Sequence, residues 1–204
     1  MTTIKSKQII LRHIKLTDVQ KYYECFSGKN IKQALLRIPK NLTEAKKELR
    51  IKLNNLKKDK PFGETFAIEV KNEFAGYVEL HHLNTEHCKH KCEIGYAVHP
   101  EFRNQGIATK AIKLLTKYAF GKYKLKRISA MGRLKNKSSF RVLEKAGYKL
   151  EGILRKNKCV DGKYLDDFLY AKIKKWMINL NNIVTNSDYN KLVKFYQINN
   201  LTQF

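Results

Sequence analysis

Residues 92–115 read CEIGYAVHPEFRNQGIATKAIKLL, and the punctuation of this stretch decides how the rest of the chain is read. Glu93, Ile94, Gly95, Tyr96, Ala97 and Val98 form a short strand. Pro100 ends it, because proline has no N–H for a sheet ladder and restrains the residue before it. The turn Arg103-Asn104-Gln105-Gly106-Ile107-Ala108 follows, and Ala108, Ala111, Ile112, Leu115, Tyr118 and Ala119 then recur at helical spacing, marking one buried face. A strand that runs through a glycine-containing loop into a helix aims several backbone N–H groups at one point, with the positive end of the helix dipole behind them. Such a point holds an anion, and a pyrophosphate fits it well.

The flanking sequence supplies the other layers. Residues 8–12 read as an opening strand, and Thr17-Asp18-Val19-Gln20 matches a capping box that predicts a helix through Tyr22, Tyr23 and Phe26. A second helix is predicted from Thr43, with Ala45, Leu49, Leu53 and Leu56 on one face, ending before Pro61. Residues 65–70 alternate with period two, and Asn72-Glu73 turns the chain into residues 74–80 as an antiparallel hairpin. Beyond the central helix, residues 126–131 make a strand, and Asn136 or Ser138 caps a short helix that Gly147 ends. Residues 148–154 and 167–173 make the last strands, with Asp161-Gly162 as a hairpin turn before the final one. The expected class is α/β (α+β), a mixed, mostly antiparallel sheet of about seven strands with helices on both faces, forming one domain over residues 1–174. In the tail, 175–204, Tyr189, Leu192, Val193 and Tyr196 have helical spacing. It is expected to be a helix packed on the domain or at an interface.

The motifs also carry a resemblance. Arg103-x-x-Gly106-x-Ala108 resembles the Q/R-x-x-G-x-G/A signature of the GNAT N-acetyltransferases, and residues 93–112, EIGYAVHPEFRNQGIATKAI, resemble the motif of the RimJ/RimL branch that acetylates ribosomal-protein N-termini. Residues 136–148, NKSSFRVLEKAGY, are similar to that branch's second motif, N-x-x-S-x-R-V-x-E-K-x-G-F/Y. The likeness spans about residues 7–173. It implies the GNAT fold and acetyl-CoA as cosubstrate, with Arg103, Asn104, Gln105, Gly106, Ile107, Ala108 and Thr109 around the pyrophosphate. It also implies Tyr96, Ala97 and Val98 along the pantetheine arm, where relatives splay the sheet, and Asn136 and Ser139 near the arm and the thioester. By the same resemblance the two early helices wall the acceptor side.

Acetyl transfer needs an uncharged amine, a donor for the oxyanion and a departing thiolate. Deprotonating a lysine-like amine at pH 7 costs roughly 4.6 kcal/mol, whereas an α-amine costs only about 1 kcal/mol. A protein N-terminus therefore makes light demands on a base, and a positioned carboxylate, often through water, suffices. Glu93 matches the glutamate that acts as base in the lysine-directed branch of the superfamily. A purely structural Glu93 is the competing reading, with Glu79 on the adjacent strand as reserve base. Ser139 is the expected donor to the leaving thiolate, with solvent as its alternative, because Leu143 stands where several GNAT enzymes carry an acidic tyrosine. Tyr148 fits the family's aromatic position and reads as packing. A backbone N–H near Ala97 or Val98 is expected to meet the oxyanion.

Composition limits the partners. Of 204 residues, 34 are Lys and 8 Arg, and the formal net charge is +24. Two readings of that charge stay open: a solvated Lys-rich surface, and a field that attracts CoA, acidic peptides or ribosomal RNA. Scarce arginine argues against base-specific readout, and no zinc-finger spacing or aromatic RNA-binding motif appears. No apolar run approaches ~20 residues, and the first residues lack a signal-peptide pattern. A cytoplasmic protein with reduced Cys25, Cys88, Cys92 and Cys159 is expected. His81, His82, His87, Cys88, His90 and Cys92 cluster without a C-x-x-C pair, so loop decoration is expected and no metal. The expected function is a direct-attack, acetyl-CoA-dependent N-acetyltransferase acting on a protein α-amine, with ribosomal proteins among the candidates, as monomer or homodimer. The alternatives are a polyamine or aminoglycoside acetyltransferase, which the charge disfavours, and a non-catalytic CoA- or RNA-binding module.

Overall fold

Alternating apolar runs broken at glycine, asparagine and proline dictate a sheet with helical crossovers, and the computed structural model shows one. It describes residues 2–28, 38–160 and 162–174; the expected tail helix lies outside them. The elements are β1 (Thr3–Lys5), β2 (Ile10–His13), a 3₁₀ turn (Leu16–Asp18), α1 (Val19–Glu24), α2 (Leu42–Leu56), β3 (Glu64–Val70), β4 (Glu73–His81) and β5 (Lys91–Val98). A second 3₁₀ turn (Pro100–Phe102), α3 (Ile107–Lys122), β6 (Arg127–Arg133), α4 (Lys137–Lys145), β7 (Lys149–Val160) and β8 (Lys163–Ile173) complete them. The strands form one sheet in the order β1-β2-β3-β4-β5-β6-β8-β7.

Two layers of core lie on the two faces of this sheet. Strand side chains alternate between them, as a pleat requires. Phe66, Ile68, Val78, Leu80 and Ile94 pack with Ile107, Ala111, Ile112 and Leu115 of α3 and Leu143 of α4. Their neighbours Ala67, Tyr77 and Ala97 pack on the other face with Tyr22 of α1 and Ala45 and Leu49 of α2. Truncating Leu115, fully buried, to alanine would cost roughly 2–5 kcal/mol.

Every neighbouring pair is antiparallel except β5 and β6. Those two are parallel and pair only at Lys91↔Arg127, Cys92↔Ile128 and Glu93↔Ser129. Beyond Glu93 and Ser129 the strands part, although β5 runs on to Val98 and β6 to Arg133. The sheet therefore opens as a V whose apex is Glu93–Ser129 and whose mouth faces the loop before α3.

Two expectations are corrected. The described residues hold eight strands, because the three residues of β1 pair with β2 at Ile4↔Leu11; so short a segment carries too little periodicity to be read. The predicted capping box is displaced as well. Asp18 is the third residue of a 3₁₀ turn and accepts from the Lys15 N–H at 2.7 Å. Its carboxylate is also gripped by Arg12 at 2.7 and 2.8 Å, a long-range partner that no local pattern encodes.

Candidate active site

The pyrophosphate loop is shaped by two left-handed residues. Asn104 has φ 61° and Gly106 φ 74°, and Gly106 caps the 16-residue α3. Nothing stands within 4 Å of where a Gly106 Cβ would be, so the glycine serves backbone conformation and open approach. The first-turn N–H groups of α3 have no partner within the helix by construction, and they converge where the dipole favours an anion. Ile107 is buried, so it can meet a cofactor through its backbone alone, while Ala108 and Thr109 are partly exposed. Gln105 ties its side chain to Glu101 O at 2.9 Å.

Arg103 is placed differently from a phosphate clamp. Its guanidinium donates to Val98 O at 3.0 Å and to Cys25 O and Ser27 O at 3.1 Å each, and its N–H donates to Pro100 O at 3.2 Å. It braces the loop against the end of β5 and the chain after α1. His99 makes a parallel brace: it is buried, with Nε2 at 2.9 Å from Glu24 and Nδ1 at 3.4 Å from Glu101.

Across the mouth of the V, on the α3/α4 face, Tyr96 Oη lies 2.6 Å from Ser139 Oγ. Asn136 caps α4 by accepting from the Ser139 N–H at 3.3 Å, which fixes the serine. Burial pushes the Tyr96 phenol up to about 12, against the hydrogen bond to Ser139. A phenol that weak stays protonated, and handing its proton to a thiolate of pKa near 8.5 would cost roughly 5 kcal/mol. The pair therefore offers hydrogen bonds rather than a readily transferred proton. Leu143 is in the core and takes no part. Tyr148 is buried with its hydroxyl 2.8 Å from Thr116 Oγ1, as a packing residue should be.

The opposite face at the apex carries the candidate bases. A cavity of about 530 Å³ is lined by Phe62, His82, Lys91, Glu93, Arg127, Ser129, Met131 and Leu169 among others. Glu93 is partly exposed, with His82 Nδ1 at 3.5 Å. Among the described residues lining this cavity it is the one carboxylate. Glu79, two residues along the same face, is buried and bonded to Lys52 and, at 2.9 Å, to Thr65 Oγ1. Burial alone would raise its carboxyl; His81 and Lys52 outweigh this and hold it well below the usual carboxylate range. A carboxylate held so firmly ionised is a poor base, which leaves Glu93 as the better of the two sequence candidates. Sequence reasoning missed the Tyr96–Ser139 pair and the position of His81 beside Glu79. The period-two alternation of β4 could have shown that His81 shares the Glu79 face. Among the described residues no group of three or more His, Cys, Asp or Glu stands close enough to hold a metal.

A parallel pair that opens beside a glycine-capped helix, with donors on one face and a carboxylate on the other, defines an acyl-CoA-dependent transferase. The acetyltransferase (GNAT) domain model matches residues 8–149, and the chain belongs to that family as an N-acetyltransferase. Its relatives include an uncharacterized N-acetyltransferase YnaD of Bacillus subtilis, 27% identical over 82% of this chain and 95% of its own. Another is the spermidine N(1)-acetyltransferase of Escherichia coli, 30% identical over 48% of this chain and 52% of its own. The fold is that of RimL, the ribosomal L7/L12 α-N-protein acetyltransferase solved with coenzyme A, at TM-score 0.73 and 21% identity over 84% of this chain and 98% of that one. Acetyl-CoA is thus the cosubstrate, and the open edge of β5 and the α3 N-terminus fit it. No described helix is long and apolar enough to cross a membrane.

Proposed function

We propose that this chain acetylates the α-amino group of a protein N-terminus, a ribosomal protein being the first candidate, in the cytoplasm, through its domain 1–174. The observation that carries this reading is the charge of the acceptor cavity. Glu93 is its one carboxylate, while nearby Glu79 is consumed by Lys52 and Glu151 by a bidentate Arg127. One carboxylate suits one ammonium; a polyamine would bring two or three positive charges toward Lys91 and Arg127 and find one partner.

Acetyl-CoA supplies the thioester carbonyl to be attacked and the thiolate that leaves. The chain's residues do the rest. Asn104 to Thr109 present backbone N–H groups to the pyrophosphate, and the unpaired edge of Tyr96, Ala97 and Val98 receives the arm. Glu93 binds the incoming ammonium and takes its proton, through water where the distance requires it. Tyr96 and Ser139 stabilise the thiolate. The Lys-rich surface would additionally favour binding near ribosomal RNA.

Incubation with isotope-labelled acetyl-CoA and a cell extract, followed by mass spectrometry, tests this: label on particular protein N-termini is the expected result. Label confined to small amines would transfer the reading to polyamine chemistry, which the similarity to the spermidine enzyme favours. Glu93→Gln is expected to lower kcat by about 10²-fold near pH 6 and less near pH 9, where the α-amine is already neutral, with an unchanged Kd for CoA. Equal turnover of Glu93→Gln and wild type across that range would remove Glu93 from the chemistry.

A further inference from the structure

The histidine beside the apex has no place in the scheme above, and its surroundings are those of a working imidazole. His81 closes β4 directly opposite Glu93 on β5, and Glu79 lies opposite Gly95. All four positions share the face that carries the acceptor cavity. His81 Nε2 is 3.2 Å from Glu79 Oε1, and Glu79 is itself anchored by Lys52 of α2 and Thr65 of β3. A Cβ on Gly95 would stand 2.9 Å from His81 Nε2. The missing side chain is what leaves room for the ring over Gly95 of β5. His81 is 40% exposed, so the ring is anchored at one nitrogen and still open to solvent.

We propose that His81, oriented by Glu79, is a second proton acceptor for the amine and works together with Glu93. A buried carboxylate facing Nε2 fixes that nitrogen as the N–H and leaves Nδ1 with the lone pair. The charged groups facing the ring are Glu79 on its own strand, Lys52 from α2 and Glu93 from β5, with His82 next along the chain. A proton leaves the ammonium for Nδ1, and the freed nitrogen pair forms the new C–N bond at the thioester carbonyl. The C–S bond breaks with its pair on sulfur; the second amine proton goes by way of solvent to that thiolate, and the imidazolium returns its proton to solvent. Glu93 and His81, paired across β4 and β5, thus flank one ammonium, and each offers its proton a place to go, directly or through water.

This inference rests on the acetyltransferase reading, and the test separates the two. Wild-type protein is first assayed with acetyl-CoA against a panel of α-amine peptides and small amines; no turnover on any of them would overturn the parent reading and this one with it. With whichever amine is accepted, His81→Gln keeps a donor toward Glu79 but cannot take a proton. It is expected to lower kcat at least tenfold at pH 7, with a loss that shrinks toward pH 9 as the α-amine becomes neutral unaided, and to leave the KM for acetyl-CoA unchanged. His81→Gly is expected to recover activity with added imidazole. Gly95→Ala moves only the end of a flexible side chain, so the fold should survive while kcat falls and KM for acetyl-CoA holds. A His81→Gln profile that superimposes on wild type, or no imidazole rescue of a folded His81→Gly, would overturn the proposal while leaving the acetyltransferase intact.

Discussion

Two buried carboxylates, one on each face of the sheet, show how the same residue type is put to different uses. Glu64, on the α3 face, receives His13 Nε2 at 2.9 Å, the Tyr123 hydroxyl at 2.7 Å, the Tyr118 hydroxyl at 3.1 Å and Lys122 Nζ at 3.0 Å. These partners saturate it. Glu79, on the opposite face, is held by Lys52 and Thr65, and its third partner, His81, is 40% exposed. Burial would raise both carboxyls, and in both the partners outweigh it. The difference is what the partners do next: those of Glu64 close a network, whereas the imidazole beside Glu79 has a second nitrogen to use.

Perturbing each carboxylate should therefore break different things. The largest stability effect is expected from Glu64→Gln. With the Glu64 carboxyl lowered from 4.5 to about 2, its ionised form contributes roughly 3 kcal/mol at neutral pH. That stability is fully present above pH ~4.5 and is lost as pH falls toward 2. Urea denaturation at pH 7 should show the loss in Glu64→Gln, and the variant's stability should vary less than wild type's between pH 4.5 and 2.5. Turnover per folded molecule should be unchanged. Glu79→Gln should do the reverse in emphasis, lowering kcat by about 10²-fold (roughly 2.7 kcal/mol) in protein that still folds at 25 °C. Equal activity losses in the two variants would abolish the distinction. The smallest effect is expected from Asn136→Ala, which removes the cap of α4 at about 1 kcal/mol and frees Ser139, so thermal stability and kcat should both fall modestly.

Much of this was legible in the sequence because local rules act there. Pro100 and Gly106 bracket the loop, the alternation of residues 65–70 and 74–80 marks paired strands, and Asn136 both caps α4 and sits beside the opening. What was not legible depends on register. Arg103 carries a family signature, yet its guanidinium is spent on the carbonyls of Val98, Cys25 and Ser27, two of which lie far off in sequence. The Tyr96–Ser139 contact joins residues 43 apart and exists only because α4 returns over the opening. His81 read as one histidine in a loop cluster; only its pairing opposite Glu93 and the bare Gly95 beneath it give it a role.

The most direct test of the central claim compares three acceptors with the purified protein and acetyl-CoA. These are a peptide with a free α-amine and a lysine, the same peptide blocked at its N-terminus, and spermidine. If the proposal holds, the single carboxylate lining the cavity disfavours spermidine and the higher deprotonation cost disfavours lysine, so the α-amine should be acetylated, with kcat/KM for the blocked peptide and for spermidine at least 10²-fold lower. Comparable turnover of the blocked peptide or of spermidine would contradict it.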